Sequence, residues 1–297
     1  MIIMHKHDHH SLEIDLEKSV GVIFFIFVIE LIGGVLSNSL ALLSDAVHMI
    51  TDVVALSLVL GAFWIAKRHP SLKRTFGFHR AEVFASIANA ALLIFLAAEL
   101  FREAVNRLQE PSSVLTTPMI LATSVGLIAN LYVLNKLKKR EDLTTKSAVL
   151  HVLSDSIFSV VVLITGIIIA LTGVQKIDSF VTIIFVPFIG YGAIRLLINA
   201  TEILFESAPK DIDIKKIVVK IKKQKGVTGV HRIHIWTICP HIHIFTAHIQ
   251  TNIKDVKKTW EISKKVKSIL KNNNIKSSTL QFEYSKKRYG LIKKLEH

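Results

Sequence analysis

Long apolar runs separated by short charged connections fill the chain from about residue 19 to residue 203. Almost none of them alternates as a half-buried strand does. A helix needs roughly 20 residues to cross the hydrocarbon of a bilayer. Six segments reach that length: 19–37, 39–66, 81–107, 114–136, 145–171 and 177–203. Pro187 lies inside the sixth, where it removes a backbone donor, so a kink is expected there. The pattern changes after Pro209. Residues 211–225 place Ile214, Ile217, Val218 and Ile221 at helical spacing with lysines between them, and Gly226 and Gly229 close the run. Val230 to Ile238 and His241 to Gln250 alternate as strands around Cys239-Pro240. Asp255 to Leu270 is helical again, with Val256, Trp260, Ile262, Val266 and Ile269 as its apolar positions. Thr279 to Tyr284 reads as a third strand.

The predicted fold class is therefore an all-α six-helix transmembrane domain followed by a small α+β domain in the order α-β-β-α-β. Its parts are a polar tail (1–18), the membrane domain (19–208), the small domain (209–290) and a short end (291–297). The closing Leu295-Glu296-His297 fits a purification-tag remnant. Hydrophobic residues make up 51% of the 297, a fraction that soluble domains also reach, so it is their grouping that points to the membrane. A single cysteine excludes a disulfide framework and a thiolate-rich metal cluster.

Charge sharpens the boundary. Up to Pro209 there are 16 basic and 17 acidic side chains; beyond it there are 21 and 6. A basic domain next to an anionic leaflet accounts for this excess, and no nucleic-acid partner is expected. Lys67, Arg68, Lys73, Arg74 and Arg80 join the second and third segments, and Lys136, Lys138, Lys139, Arg140 and Lys146 join the fourth and fifth. Basic connections stay on the cytoplasmic side, so both termini and the small domain are expected there, in a bacterial plasma membrane. The tail holds His5, His7, His9 and His10. It reads either as a loose metal collector or as a disordered segment. The apolar stretch from Val20 does not stop at a signal-peptide cleavage site and reads as a first span.

The spans are not purely apolar. Glu30, Asp45, His48, Asp52, Glu82, Glu99, His151 and Asp155 all fall within them or at their ends. Ionisable groups in a bilayer are expensive and face a polar cavity or a partner. Glu99 with Arg102 and Glu103 reads as a tie near a helix end. Glu30 and Glu82 fit either a tie or a functional cavity. The second span carries Ser44-Asp45-Ala46-Val47-His48-Met49-Ile50-Thr51-Asp52, and the fifth carries His151-Val152-Leu153-Ser154-Asp155. A His and an Asp four apart share one helix face. Two such pairs can close four ligands, two imidazoles and two carboxylates, around a zinc ion. The alternative is two separate hydrogen-bonded His–Asp pairs. No His-Glu-x-x-His or G-x-S-x-G motif accompanies them, and a closed four-ligand site leaves no place for a substrate water, so no enzyme is expected.

At these residues the chain resembles a known family, the cation diffusion facilitators, in their zinc-transporting bacterial form. Ser39-Leu40-Ala41-Leu42-Leu43-Ser44-Asp45-Ala46-Val47-His48-Met49 resembles the second-span signature, and Phe76-Gly77-Phe78-His79-Arg80-Ala81-Glu82-Val83 the start of the third span. His151 to Asp155 resembles the fifth-span half-site. His234-Ile235-Trp236 and Ala247-His248-Ile249 are similar to the cytosolic domain. The likeness covers about residues 15 to 285, and the family's long His-rich loop between spans four and five is missing. It implies proton-coupled efflux of divalent zinc by a homodimer in a lipid bilayer, with protons as counter-ion and cadmium or cobalt as further cargo. The alternatives are iron or manganese carried in the same way, or a membrane metal sensor that transports nothing. It also implies a metallochaperone-like cytosolic domain that dimerises, with His231, His248 and Glu283 as regulatory metal ligands. Gln281 stands where some members carry another His. His241, His243 and Cys239 would offer an alternative cluster.

Overall fold

The structure is a computed structural model. It describes residues 6–66, 71–137, 143–240 and 242–284, and within these the side chains of 6–20, Asp52, His151 and several neighbours lie outside the description. Six long helices come first: α1 (Lys6–Ser37), α2 (Leu40–Ala66), α3 (Arg80–Gln109), α4 (Thr116–Leu137), α5 (Leu143–Thr172) and α6 (Lys176–Leu204). They match the six predicted segments, except that α1 starts at Lys6 and takes in most of the stretch read as a tail. α6 runs unbroken through Pro187.

Among the described residues, four stretches are long and apolar enough to cross a membrane: Arg80–Gln109, Thr116–Asn135, Val152–Thr172 and Lys176–Leu204. Within α1 and α2 the described apolar stretches, Ile23–Ser37 and Leu40–Thr51, are shorter. The chain is thus an integral membrane protein with several spanning helices. Their outward side chains are apolar, among them Phe95, Leu121, Ile164 and Phe188, as contact with lipid requires.

The chain forms two compact units. In the first, α1 packs on α2 and α4, and α5 packs on α4 and α2. Small residues set the approach. A β-carbon on Gly33 would collide with Ala122 of α4, and one on Gly34 would press on Leu43 of α2. Ala41, Leu42, Val114, Met119, Ala122 and Val162 form the core of this unit. α1 stops at Asn38, which takes φ 56°, a left-handed value that Asn tolerates. Ser39 then caps α2, its Oγ accepting from Leu42 N at 3.2 Å. Asp178 of α6 holds the same helix start. It accepts from Ser39 Oγ at 2.6 Å, from Leu40 N at 2.6 Å and from Ala41 N at 3.3 Å. Arg107 of α3 donates to Asn38 O at 2.7 Å and to Asn38 Oδ1 at 2.9 Å.

The second unit holds the first turn of α3, the end of α6 and the small domain. This domain comprises α7 (Ile214–Lys222), β1 (Val227–Cys239), β2 (Ile242–Thr251), α8 (Val256–Lys271) and β3 (Ser277–Glu283). The order is the predicted α-β-β-α-β. β2 is the central strand, antiparallel to β1 and parallel to β3. Asp213 caps α7 and Asp255 caps α8. Ile217, Val218 and Ile221 of α7 and Ile262, Val266 and Leu270 of α8 pack with Val230, Ile233, Phe245, Ala247 and Ile249 of the sheet. Two of the apolar positions of α8 lie outside this core. Val256 and Trp260 are exposed, and the Trp260 ring lies under Lys264 Nζ at 3.4 Å. They fall off the buried stripe, which closes on Leu270, with Ile269 only partly covered.

Candidate metal centres

The first place to examine lies between α2 and α5. Asp45 and His48 are three apart on α2, so one helix face presents both. His48 Nε2 stands 3.5 Å from Asp155 Oδ1 of α5. That is the weak limit of a hydrogen bond. Two ligands of one tetrahedral zinc, each bonded at about 2.0–2.1 Å, lie roughly 3.3 Å apart. The His48–Asp155 spacing therefore suits a shared cation at least as well as a direct bond. The pair is partly shielded, with side chains 30% and 13% exposed. The His48 ring rests near Phe158 at 5.7 Å, and Phe158 meets Phe185 edge-on at 4.4 Å. Asp45 is buried and accepts from Ser159 Oγ at 3.2 Å.

The structure thus brings together one His and one Asp taken from different sequence pairs. Asp52 and His151 stand on α2 and α5, one turn from His48 and Asp155, but their side chains lie outside the described residues. Sequence reading missed Ser159 and Phe158. Serine and phenylalanine are ordinary in an apolar helix, and only the α2–α5 packing shows what they touch. Of the acidic groups expected as ties, Glu99 pairs with Arg102 and Glu103 with Arg107. Asp178 stands near the start of the sixth segment, and its partners on α2 are remote in sequence.

The second place is the small domain. His231 of β1 and His248 of β2 are directly opposite in the antiparallel ladder. Glu283 of β3 is paired with Gln250, two residues beyond His248. His248 and Glu283 thus share a sheet face, the one opposite α7 and α8, because strand side chains alternate. A register shift between His231 and His234, with Arg232 at φ 49°, lets Val230 and Ile233 both face the core while His231 faces Glu283. His248 Nδ1 is 2.5 Å from Glu283 Oε1, and His231 Nε2 is 3.1 Å from Glu283 Oε2. One ligand atom from each of the three falls within 4.8 Å of the other two. His231 is buried, and burial holds its imidazole below the ordinary 6.5, against the opposing pull of Glu283. The hydrogen bond from His248 keeps the Glu283 carboxyl below its usual range. Both shifts favour deprotonated groups, which are the forms that bind a metal. His243 is engaged elsewhere, its Nδ1 3.1 Å from Thr237 Oγ1. His241 lies outside the described residues.

Comparison with known proteins places both regions. The cation efflux transmembrane domain matches residues 18–205, and the cation efflux protein cytoplasmic domain matches residues 209–285. The metal cation efflux system protein CzcD of Cupriavidus metallidurans is 35% identical over 283 residues, 94% of this chain and 89% of that protein. The cadmium, cobalt and zinc/H(+)-K(+) antiporter of Bacillus subtilis is 31% identical over 93% of this chain and 91% of its own length. The zinc transporter ZitB of Yersinia pestis is 35% identical over 86% and 83%.

Proposed function

The chain belongs to the cation efflux family, also called the cation diffusion facilitators, and on that premise we propose that it exports divalent zinc in exchange for protons. The reading takes His48, Asp52, His151 and Asp155 as the four ligands of the cargo. The observation that carries it is the His48–Asp155 approach of 3.5 Å across α2 and α5. Relatives named for zinc, or for cadmium, cobalt and zinc, support the choice of cargo.

A proton and a zinc ion compete for the same imidazole nitrogen, and an unperturbed histidine titrates near 6.5. Zinc loads from the cytoplasm onto deprotonated His48 and His151. The bundle then turns outward, and protons entering from that side displace the ion and return on the vacated ligands. Alternating access around one site at mid-membrane is the general logic of such carriers. The arrangement we propose has six spans with both termini cytoplasmic, the basic domain from 209 to 290 on that side, and two copies working as a homodimer. His231, His248 and Glu283 form a second, regulatory zinc site.

The test is zinc flux into proteoliposomes under an imposed pH gradient, comparing the intact chain with Asp52→Ala and Asp155→Ala. Uptake that follows the gradient and disappears in both variants is the expected result. Gradient-driven uptake of iron or manganese in preference to zinc would reassign the cargo. Zinc binding without flux of any metal would leave a sensor.

A further inference from the structure

Among the described residues, Glu30 makes no tie, and it is not one of the proposed cation ligands. Glu30 lies in the C-terminal half of α1, 0% exposed. Neither of its carboxyl oxygens meets a hydrogen-bond partner among the described residues. It sits in the notch that Gly126 leaves on α4, where a β-carbon would collide with Glu30 Oε1, and Ile26 borders the same notch. An ionised carboxylate held away from water with no donor is strongly disfavoured against its neutral acid. Other buried carboxyls of this unit are given donors. Asp178 has three on α2, and Asp45 has Ser159.

The charges that act on Glu30 come from neighbouring helices. α2 brings Asp45 and α5 brings Asp155, both acidic. His48 of α2 stands against Asp155, and Asp52 and His151 occupy the next turns of the same helices. α4, packed directly on α1, carries no acidic or basic side chain from Thr116 to Asn135. α4, whose Gly126 borders the carboxyl, thus supplies no counter-charge along that stretch, and the acidic groups across the bundle are of its own sign. A cation arriving between α2 and α5 reverses that field.

We propose that Glu30 is a proton-binding site of the transport cycle, separate from the cation ligands and coupled to them by charge. This rests on the antiport reading. With the cation site empty, Glu30 is a neutral carboxylic acid. Zinc binding on α2 and α5 places two positive charges within its field. The Glu30 O–H bond then breaks and the proton leaves toward the loading side. When zinc departs outward, Glu30 takes up a proton from that side. No electron moves, and one proton is carried against each cation by this group.

The experiment uses the full chain, with zinc as the probe, and compares the intact protein with Glu30→Gln and Glu30→Asp. Three quantities are measured: exchange of labelled zinc without a pH gradient, zinc uptake driven by a gradient, and protons released per zinc bound, from calorimetry in buffers of different ionisation enthalpy. Glu30→Gln is expected to keep exchange while losing gradient-driven uptake by about tenfold or more, a coupling of ordinary size. Its zinc binding should release about one proton fewer. Glu30→Asp, which keeps the acid on a shorter arm, should restore coupled uptake with a displaced pH profile. If the Gln variant does not fold, the pH profile of the Asp variant decides: a displaced profile supports the proposal and an unchanged one overturns it. A Gln variant with intact drive and an unchanged proton count overturns the role of Glu30 and leaves antiport standing. Loss of exchange together with drive also overturns it, by assigning Glu30 to the cation site itself. An intact chain without gradient-driven uptake overturns the antiport reading and this proposal with it.

Discussion

At the scale of single residues, the two centres differ in how their charges are managed. Asp45 is held by Ser159 Oγ, one turn from Asp155 on α5. Removing a side chain that hydrogen-bonds a metal ligand typically lowers affinity by about ten- to a hundredfold, and Ser159 acts one step further out, on a carboxylate beside the proposed ligands. Ser159→Ala should therefore weaken zinc binding by roughly tenfold and leave the helices folded, as zinc titration and circular dichroism of the purified chain would register. In the small domain the signs are set by His231 and Glu283. Glu283 titrates below its ordinary value in the folded state, so its stabilising effect is complete above that value and is lost as pH falls through the folded one. His231 also titrates low, so the unfolded chain binds its proton first and acid again favours unfolding. Both act in the same direction. Amide hydrogen exchange of β1 to β3 in the full chain should quicken as pH is lowered from about 7 toward 4, after correction for the intrinsic rate. An exchange rate that stays flat over that window would remove the claim.

At the scale of elements, the start of α2 is tied from both α3 and α6. Helix N-termini leave unpaired donors that attract a carboxylate. Asp178 answers that need from α6, while Arg107 fixes Asn38 from α3. Three helices thus meet at the turn that sets the rotation of α2, and with it the direction of Asp45 and His48. Asp178→Ala should cost about 1–2 kcal/mol, as loss of a helix cap does. The effect should show as faster hydrogen exchange in the first turn of α2 and lower zinc affinity, with the small domain unchanged. The hydrophobic pattern located α2 to within a residue or so, because a buried helix needs a long apolar run whatever its neighbours. It could not reveal that its cap comes from α6, since that contact spans more than a hundred residues of sequence.

For the whole molecule, the proposed reading treats the two constellations as separable metal sites. His231→Ala combined with Glu283→Gln should lower the zinc bound per chain by about one while flux at high zinc persists, because zinc ligation needs three or four good donors. Asp155→Ala should abolish flux and leave the small-domain site able to bind. Equilibrium binding and flux on the same preparations would check both, and coincident loss of the two activities in either variant would contradict the separation.

Local pattern alone located the six long apolar segments, the composition break at Pro209, the α-β-β-α-β order and the spacing of His48 with Asp52 and of His151 with Asp155. Those features rest on local periodicity and charge, which a chain displays without folding. Tertiary structure decided which side chains meet. It set His48 against Asp155 across two helices, closed His231, His248 and Glu283 around a strand irregularity, and gave Asp178 a helix to cap. It left Trp260 outside the core of the small domain, and it placed Glu30 in the notch at Gly126 with no donor among the described residues. Those outcomes depend on packing between segments remote in sequence, where the position of one helix face or one bulge determines what a charged group finds opposite.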